Sequence, residues 1–541
     1  MKNFSYLIIF CFSLTGILYS CADQLDIKPT SELENEYFES ELRIQQGVGA
    51  CYALLTGLYS PQMSFGGGIH AIMLLPGDDV TNQDTGMGAL EAFSGLNSTT
   101  EQVSIAWTNS YQIVYRANFM LEKIEEPDIK ALYERSGLWE ANKGELLFIR
   151  SWVFYRLWDW FRKAPIQEER VTTIADAVLP PSKDFEMLDR AIADLEIAAG
   201  LLPAVNYWAE ATEKGRIFNE SAYALLVKCY VLRARYNSKS AEDYQKAIAA
   251  FEKITTRKLV NFEDNFDYHF ENNDESLFEF QASHNFYWDN PWLENDFGGG
   301  EGQMGAMYHY CTEHWSNYVS GIYGPTAKLV NAYEIGDPRK ESTAAQQLTN
   351  VNGDVDIPRP DDNDPAKLAV WNRFDGYQLQ KYVRPAKCWF EKTWGITSTN
   401  NTRLIRYADI KLLAAESYLQ TGDQTKALAQ VNDIRQRARE STNDGTVSAV
   451  PASLASVTIN DIMDERFREL AAEEGIRWTD LRSWHAAGYI DLSKWTAADF
   501  GYNYDAANFE FTLPKHLLFP IPQKELDSNP LMAASGNNPG Y

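Results

Sequence analysis

The sequence predicts a mostly α protein built from stacked helix pairs. Three observations carry this. Residues 404–439 read as helix, turn, helix: Ile405, Ala408, Leu412, Ala415 and Leu419 recur at steps of three and four, and Ala427, Val431, Ile434 and Ala438 resume the pattern on a second helix. Between them, Gly422 suits a left-handed helix stop and Asp423 can cap the second helix. Residues 216–235 and 241–254 repeat the design, a Leu/Ala-rich helix, a short turn, then Ala247 and Phe251 on one face. Such a tetratricopeptide-like hairpin cannot bury its apolar face alone, so neighbouring pairs must stack as a solenoid. The composition, 45% hydrophobic and 23% charged over 541 residues, supplies a core large enough for that.

Along the rest of the chain, residues 42–59 form a helix candidate. Residues 64–100 are rich in Gly, Asn, Asp and Thr and read as a long loop, the kind of segment that carries function. Helical spacing returns at 105–124 through Trp107, Tyr111, Val114 and Leu121, at the strongly aromatic 142–160, and at the amphipathic 185–202. From 259 to 401 the character changes. A strand-like run ends at Glu279-Phe280-Gln281, residues 283–324 are Gly- and aromatic-rich, and 350–367 are acidic and Pro-rich. Residues 459–472 present Ile459, Met463, Phe467 and Leu470 on one side of a helix, and 511–541 are irregular and Pro-rich.

The N-terminus bears on location. Lys2 precedes an apolar run from Tyr6 to Tyr19, too short for a membrane span and typical of a signal peptide. Leu18-Tyr19-Ser20-Cys21 looks like a bacterial lipobox, which makes Cys21 the lipidated residue of an anchored protein. Cys51, Cys229, Cys311 and Cys388 are too widely spaced to be a disulfide framework and are expected to be buried thiols. The net charge of -26 argues against a nucleic-acid partner.

Several long segments, in order, resemble the SusD/RagB family of outer-membrane nutrient-binding lipoproteins. They are the lipobox followed by LDIKP, YRANFMLEKI at 115–124, GELLFIRSWVFYRL at 144–157, LIRYADIKLLAAESYL with VNDIRQRA, DERFRELAAEEGIRWTDLRSW at 464–484, FPIPQKELDSNP at 519–530 and the closing NNPGY. The resemblance implies a right-handed solenoid of tetratricopeptide-like helix pairs carrying a loop-rich variable half. It implies glycan capture without catalysis at the cell exterior, and a SusC-like TonB-dependent barrel as partner, with this chain as its lid. It divides the chain into a signal peptide (1–20), a lipidated tether (21–40) and one body (41–541). The scaffold lies mainly in 41–60, 101–258 and 402–490, the variable ligand-binding part mainly in 61–100 and 259–401, and an irregular C-terminal segment in 491–541. The alternatives are a RagB-type lid for peptide import and, less favoured, a surface glycoside hydrolase.

A glycan offers hydroxyls and apolar C–H faces, so its site needs flat rings and polar side chains. Trp288, Trp292, Tyr308, Trp315 and Tyr318 supply rings among glycines, off any helical stripe. Asp78, Asp79 and Asn82 supply polar groups on a loop that, in the family, often borders the ligand; Arg384 is a further polar candidate. No cofactor is expected. His309 to His314 matches no zinc spacing, and Asp354, Asp356, Asp361, Asp362 and Asp364 could hold a structural calcium but lack a calcium-hand pattern. Glu465, Arg466, Arg468 and Glu469 resemble a catalytic cluster but are read as structural ion pairs with Arg477 or Arg482, and Glu145 and Glu416 likewise.

Overall fold

A computed structural model describes residues 37–59, 70–82, 88–281, 323–345, 376–382, 401–442, 444–502 and 506–541. Ten helices make the scaffold: α1 (Glu41–Ala53), α2 (Glu101–Lys123), α3 (Leu138–Phe161), α4 (Glu186–Leu201), α5 (Asn219–Tyr236), α6 (Ala241–Phe251), α7 (Tyr407–Gln420), α8 (Gln424–Glu440), α9 (Ile459–Leu470) and α10 (Ile476–Ala487). From α2 to α8 each helix packs on the next in sequence, the nearest-neighbour stacking of a solenoid. No helix among the described residues is long and apolar enough to cross a membrane. The expected signal peptide and most of the expected tether, with Cys21, lie outside the described residues.

The α7–α8 hairpin forms as its residues dictate. Gly422 stands at φ +90°, a conformation that costs a glycine nothing, and the Asp423 carboxylate accepts from the Lys426 N–H at 3.0 Å to cap α8. Ala427, Val431, Ile434 and Ala438 are buried as their spacing requires. The first helix differs from expectation. Leu404 and Ile405 belong to a strand, and α7 begins at Tyr407. Every residue from Ala408 to Tyr418 is buried, because α5, α6, α8 and α9 all pack on α7. A helix covered on all sides has no single stripe, which is why its periodicity extends into the strand before it. In α9 it is Ile462, Phe467 and Leu470 that are buried, while Met463 is half-buried. Thr458 and Asp461 close a capping box at its start.

Residues 64–100 are not one loop. Within the described part, His70–Leu74 is helical and the apolar positions 71–75 are buried, Val80–Asn82 is a strand and Gly88–Glu91 a helical turn. Among the described residues six short strands pair in three antiparallel two-stranded ladders: β1 (Val80–Asn82) with β3 (Tyr323–Pro325), β2 (Ser276–Phe280) with β6 (Thr402–Arg406), and β4 (Ala344–Ala345) with β5 (Gln378–Leu379). Among the described cysteines, Cys51 and Cys229 are buried free thiols, and burial pushes Cys51 up to about 12. Glu145 meets Arg216 at 2.6 Å and Glu416 meets Arg235 at 2.5 Å, so both are the struts expected of them.

Candidate functional site

The three ladders gather the ends of residues 282–322, 346–375 and 383–400. Val80 faces Pro325 and Asn82 faces Tyr323; Phe280 faces Thr402; Ala344 faces Leu379. The chain therefore leaves β2 and returns at β3, leaves β4 and returns before β5, and leaves after β5 and returns at β6. Side chains lock these exits. The Asn401 amide donates to Glu279 at 2.9 Å and to Gln281 at 3.0 Å, and its backbone N–H donates to Glu271 at 2.8 Å. Gln281 and Asn272 exchange amide hydrogen bonds at 2.9 and 3.0 Å. Burial, reinforced by Glu279 and Asp267, lifts the Glu271 carboxyl to about 7. Within the scaffold, the cavity among Tyr155, Arg156, Lys228, Arg235, Arg466 and Asp480 is about 20 Å³, room for a water and not for a sugar.

β1 is fixed by its acids. Asp78 is fully buried; its carboxylate pairs with Arg477 and, at 2.7 Å, with Lys328. Burial opposes its ionisation, yet these two cations hold it below the usual carboxylate range. The Asp79 carboxylate accepts from the Ala472 N–H at 2.8 Å, while its other oxygen, Oδ1, is buried without a hydrogen-bond partner. Burial pushes this carboxyl up to about 6. A carboxyl that binds its proton more tightly folded than unfolded loses stability as pH rises from about 4 to about 6. Asp79→Asn keeps an acceptor for Ala472 and removes the charge. It is expected to gain about 1–3 kcal/mol over the wild type at pH 7.5 and nothing near pH 4, read from denaturant unfolding at both; an equal effect at the two pH values would count against burial as the cause. Asn82 and Thr81 both donate to Glu91, a fully buried carboxylate in the next helical turn.

Beneath the ladders lies a floor of buried charge. Arg406, at the end of β6, donates to Glu275 at 2.8 Å, to Glu469 at 2.6 Å and to Glu473 at 2.6 Å. Lys381, just after β5, reaches Glu473 at 2.6 Å and the carbonyls of Glu469 and Ala471 at 3.0 and 2.9 Å. Arg339 bridges Asp337, Glu465 and Glu469 at 2.7, 2.6 and 3.0 Å, and Arg437 joins Glu275 and Glu469. Burial works against Glu465, but Arg339, Arg468 and Arg435 bring its carboxyl down to about 2. Each buried acid here is matched by a cation, the condition under which buried charge is tolerated.

Comparisons with known proteins place this architecture. A model described as the SusD family matches residues 285–541, and one described as starch-binding proteins associating with the outer membrane matches 23–231. The chain is SusD-like. A SusD-like protein of Formosa agariphila, P38, is 27% identical over 520 residues, spanning 89% of this chain and 91% of that one. A laminarin-binding SusD-like protein superposes with a TM-score of 0.68 at 21% identity, covering 93% of this chain and 100% of its own. The surface glycan-binding protein A of Bacteroides uniformis does so at 0.67 and 20% identity, covering 91% and 99%. At these identities the two structures establish the SusD fold.

Against that fold, the sequence candidates separate into two groups. Trp288, Trp292, Tyr308, Trp315, Tyr318 and Arg384 lie outside the described residues, as do His309–His314, the acidic stretch 354–364, Cys311 and Cys388. Asp78, Asp79 and Asn82 are described. All three are buried and contact Arg477, Lys328, Ala472 and Glu91, and through these contacts they brace the loop bases. Glu465, Arg466, Arg468 and Glu469 are ion pairs as expected, but with other partners. Arg466 meets Asp409 and Asp480, both at 2.7 Å, while Arg477 serves Asp78 and Arg482 serves Asp159. Sequence reasoning missed Lys381, Arg406 and Glu473. Arg406 alone left a trace, as a charge directly after the apolar pair Leu404-Ile405. Among the described residues no group of three or more His, Cys, Asp or Glu side chains could hold a metal ion.

Proposed function

We propose that this SusD-like chain is a lipid-anchored protein of the cell exterior that captures oligosaccharides noncovalently and delivers them to a SusC-like TonB-dependent barrel, over which it acts as a lid. The observation that carries the reading is the pairing of family and sequence. Relatives of the same fold are named for laminarin and surface-glycan binding, and this chain places a Trp- and Tyr-rich block between two fixed strand ends, Phe280 and Tyr323. Ring faces stacked on sugar C–H faces supply affinity, and polar neighbours supply specificity. An affinity screen of the soluble form, beginning after Cys21, against polysaccharide and peptide panels separates glycan capture from RagB-type peptide import.

The anchor has its own test. Several acyl chains on Cys21 hold a protein stably where one would not. Cys21→Ser is expected to move the chain from the membrane fraction to the soluble fraction on cell fractionation. A variant that stays with the membrane would remove the lipid from the account.

A further inference from the structure

The five-residue turn between α9 and α10, Ala471-Ala472-Glu473-Glu474-Gly475, is buried and tied to five segments distant from it in sequence. Tyr59, the last described residue before 60–69, donates its hydroxyl to Glu474 Oε1 at 3.2 Å. Asp79, beside β1, accepts from the Ala472 N–H at 2.8 Å. Lys381, between β5 and 383–400, donates to the Ala471 carbonyl at 2.9 Å and to Glu473 at 2.6 Å. Arg406, where β6 ends, grips both Glu473 oxygens at 2.6 and 2.9 Å. From the scaffold, Arg156 of α3 donates to the Glu474 carbonyl at 3.0 Å and pairs with its carboxylate.

The backbone of this turn is held in an unfavourable shape. Ala472 and Glu474 stand at φ +57° and +34°, a region that disfavours residues with a Cβ, and Gly475 comes next at +67°. A Cβ on Gly475 would sit 3.0 Å from Met73, so the turn also presses on the helix that precedes β1. Such conformations persist only where the surroundings over-determine them, and they concentrate at clamps and switches. Here the surroundings are Tyr59, Asp79, Lys381 and Arg406, each at or beside the base of a variable segment.

We propose that the 471–475 turn is the common knot that holds the bases of the variable segments, at Tyr59, Asp79, Lys381 and Arg406, in register with one another and with the scaffold, and that Glu473 and Glu474 are positioning residues for glycan binding. The inference rests on the proposed function for its ligand and on the geometry above for its mechanics. Glu473 joins two arms, through Lys381 and Arg406. Asp79 and Tyr59 are separate arms. Cutting one arm should therefore free one base and leave the others held.

Hydrogen exchange on the full chain in detergent reads this directly. Glu473→Gln keeps the shape and removes the charge. Its backbone amides in 376–382 and 401–406 are expected to exchange about tenfold faster or more, while 78–82 and the interiors of α3 and α5 hold their wild-type rates. Lys381→Met is expected to free 376–382 and its ladder partner 344–345 alone, and Lys381→Arg, which restores a cation, to return them toward wild type. Lys381→Met decides the matter if Glu473→Gln does not fold. For any glycan that the wild type binds, Glu473→Gln is expected to weaken affinity about tenfold or more with unfolding still cooperative. Faster exchange spread evenly through α3 and α5, or no change in either arm, would overturn the knot. If the wild type binds no glycan, the functional reading fails, and the exchange pattern still decides the mechanics.

Discussion

Glu469→Gln is expected to lower the unfolding free energy by about 3–5 kcal/mol, the cost of breaking a buried ion pair from one side. The Glu469 carboxylate is fully buried and faces three guanidiniums: Arg406 at 2.6 Å, Arg339 at 3.0 Å, and Arg437. Glutamine keeps the shape, but its amide nitrogen donates where an acceptor is needed, and three cations lose their shared anion. The exposed Glu242–Lys246 pair on α6 is the control, and its removal is expected to leave the denaturation midpoint unchanged. The same cluster sets the acid limb. Burial resists ionisation of Glu465 and Glu469, but the surrounding arginines hold Glu465 at about 2 and Glu469 lower still against an ordinary value of 4.5. Stability from groups held low is complete above about 4.5 and drains away as pH falls toward 2. Unfolding measured across that range should therefore be shallower for Glu469→Gln than for the wild type. A loss no greater than that of the exposed control would contradict the role given to Glu469.

The helices were legible because each exposes or buries side chains with the period of its own backbone. Ala427, Val431, Ile434 and Ala438 could be placed on one face from spacing alone, and Gly422 and Asp423 could be read as stop and cap. What sequence could not convey was pairing at a distance. Asp78-Asp79 in a Gly- and Asn-rich stretch has the chemistry of a solvated turn, and its burial depends on Arg477, some four hundred residues later. Glu465 and Glu469 share a helix with Arg466 and Arg468, which suggests partners close in sequence. Their principal partners sit on other elements, Arg339 before β4, Arg406 on β6, and Arg435 and Arg437 on α8. Tertiary contact also turned Leu404 and Ile405 from a helical stripe into a strand, because β2 offers them a ladder.

Trp288→Ala with Trp315→Ala is expected to carry the largest effect on binding. A ring that stacks on a sugar and is shielded from water acts as a hot spot worth about 2 kcal/mol or more. Losing two such rings should weaken glycan affinity on the order of a hundredfold to a thousandfold. Both residues lie between Phe280 and Tyr323, whose strands are buried and paired in the described structure, and a melting temperature equal to the wild type's is the control that the double variant is folded. Calorimetric titration of the double variant checks this. Unchanged affinity in a folded double variant would move the site elsewhere.

Noncovalent glycan capture is tested most directly by presenting the soluble form, beginning after Cys21, to a polysaccharide panel and a peptide panel side by side, with reducing ends assayed in the same wells. Saturable binding to at least one polysaccharide, with no release of reducing ends, is the result expected. Binding to peptides and to no polysaccharide, or steady release of reducing sugar, would contradict it.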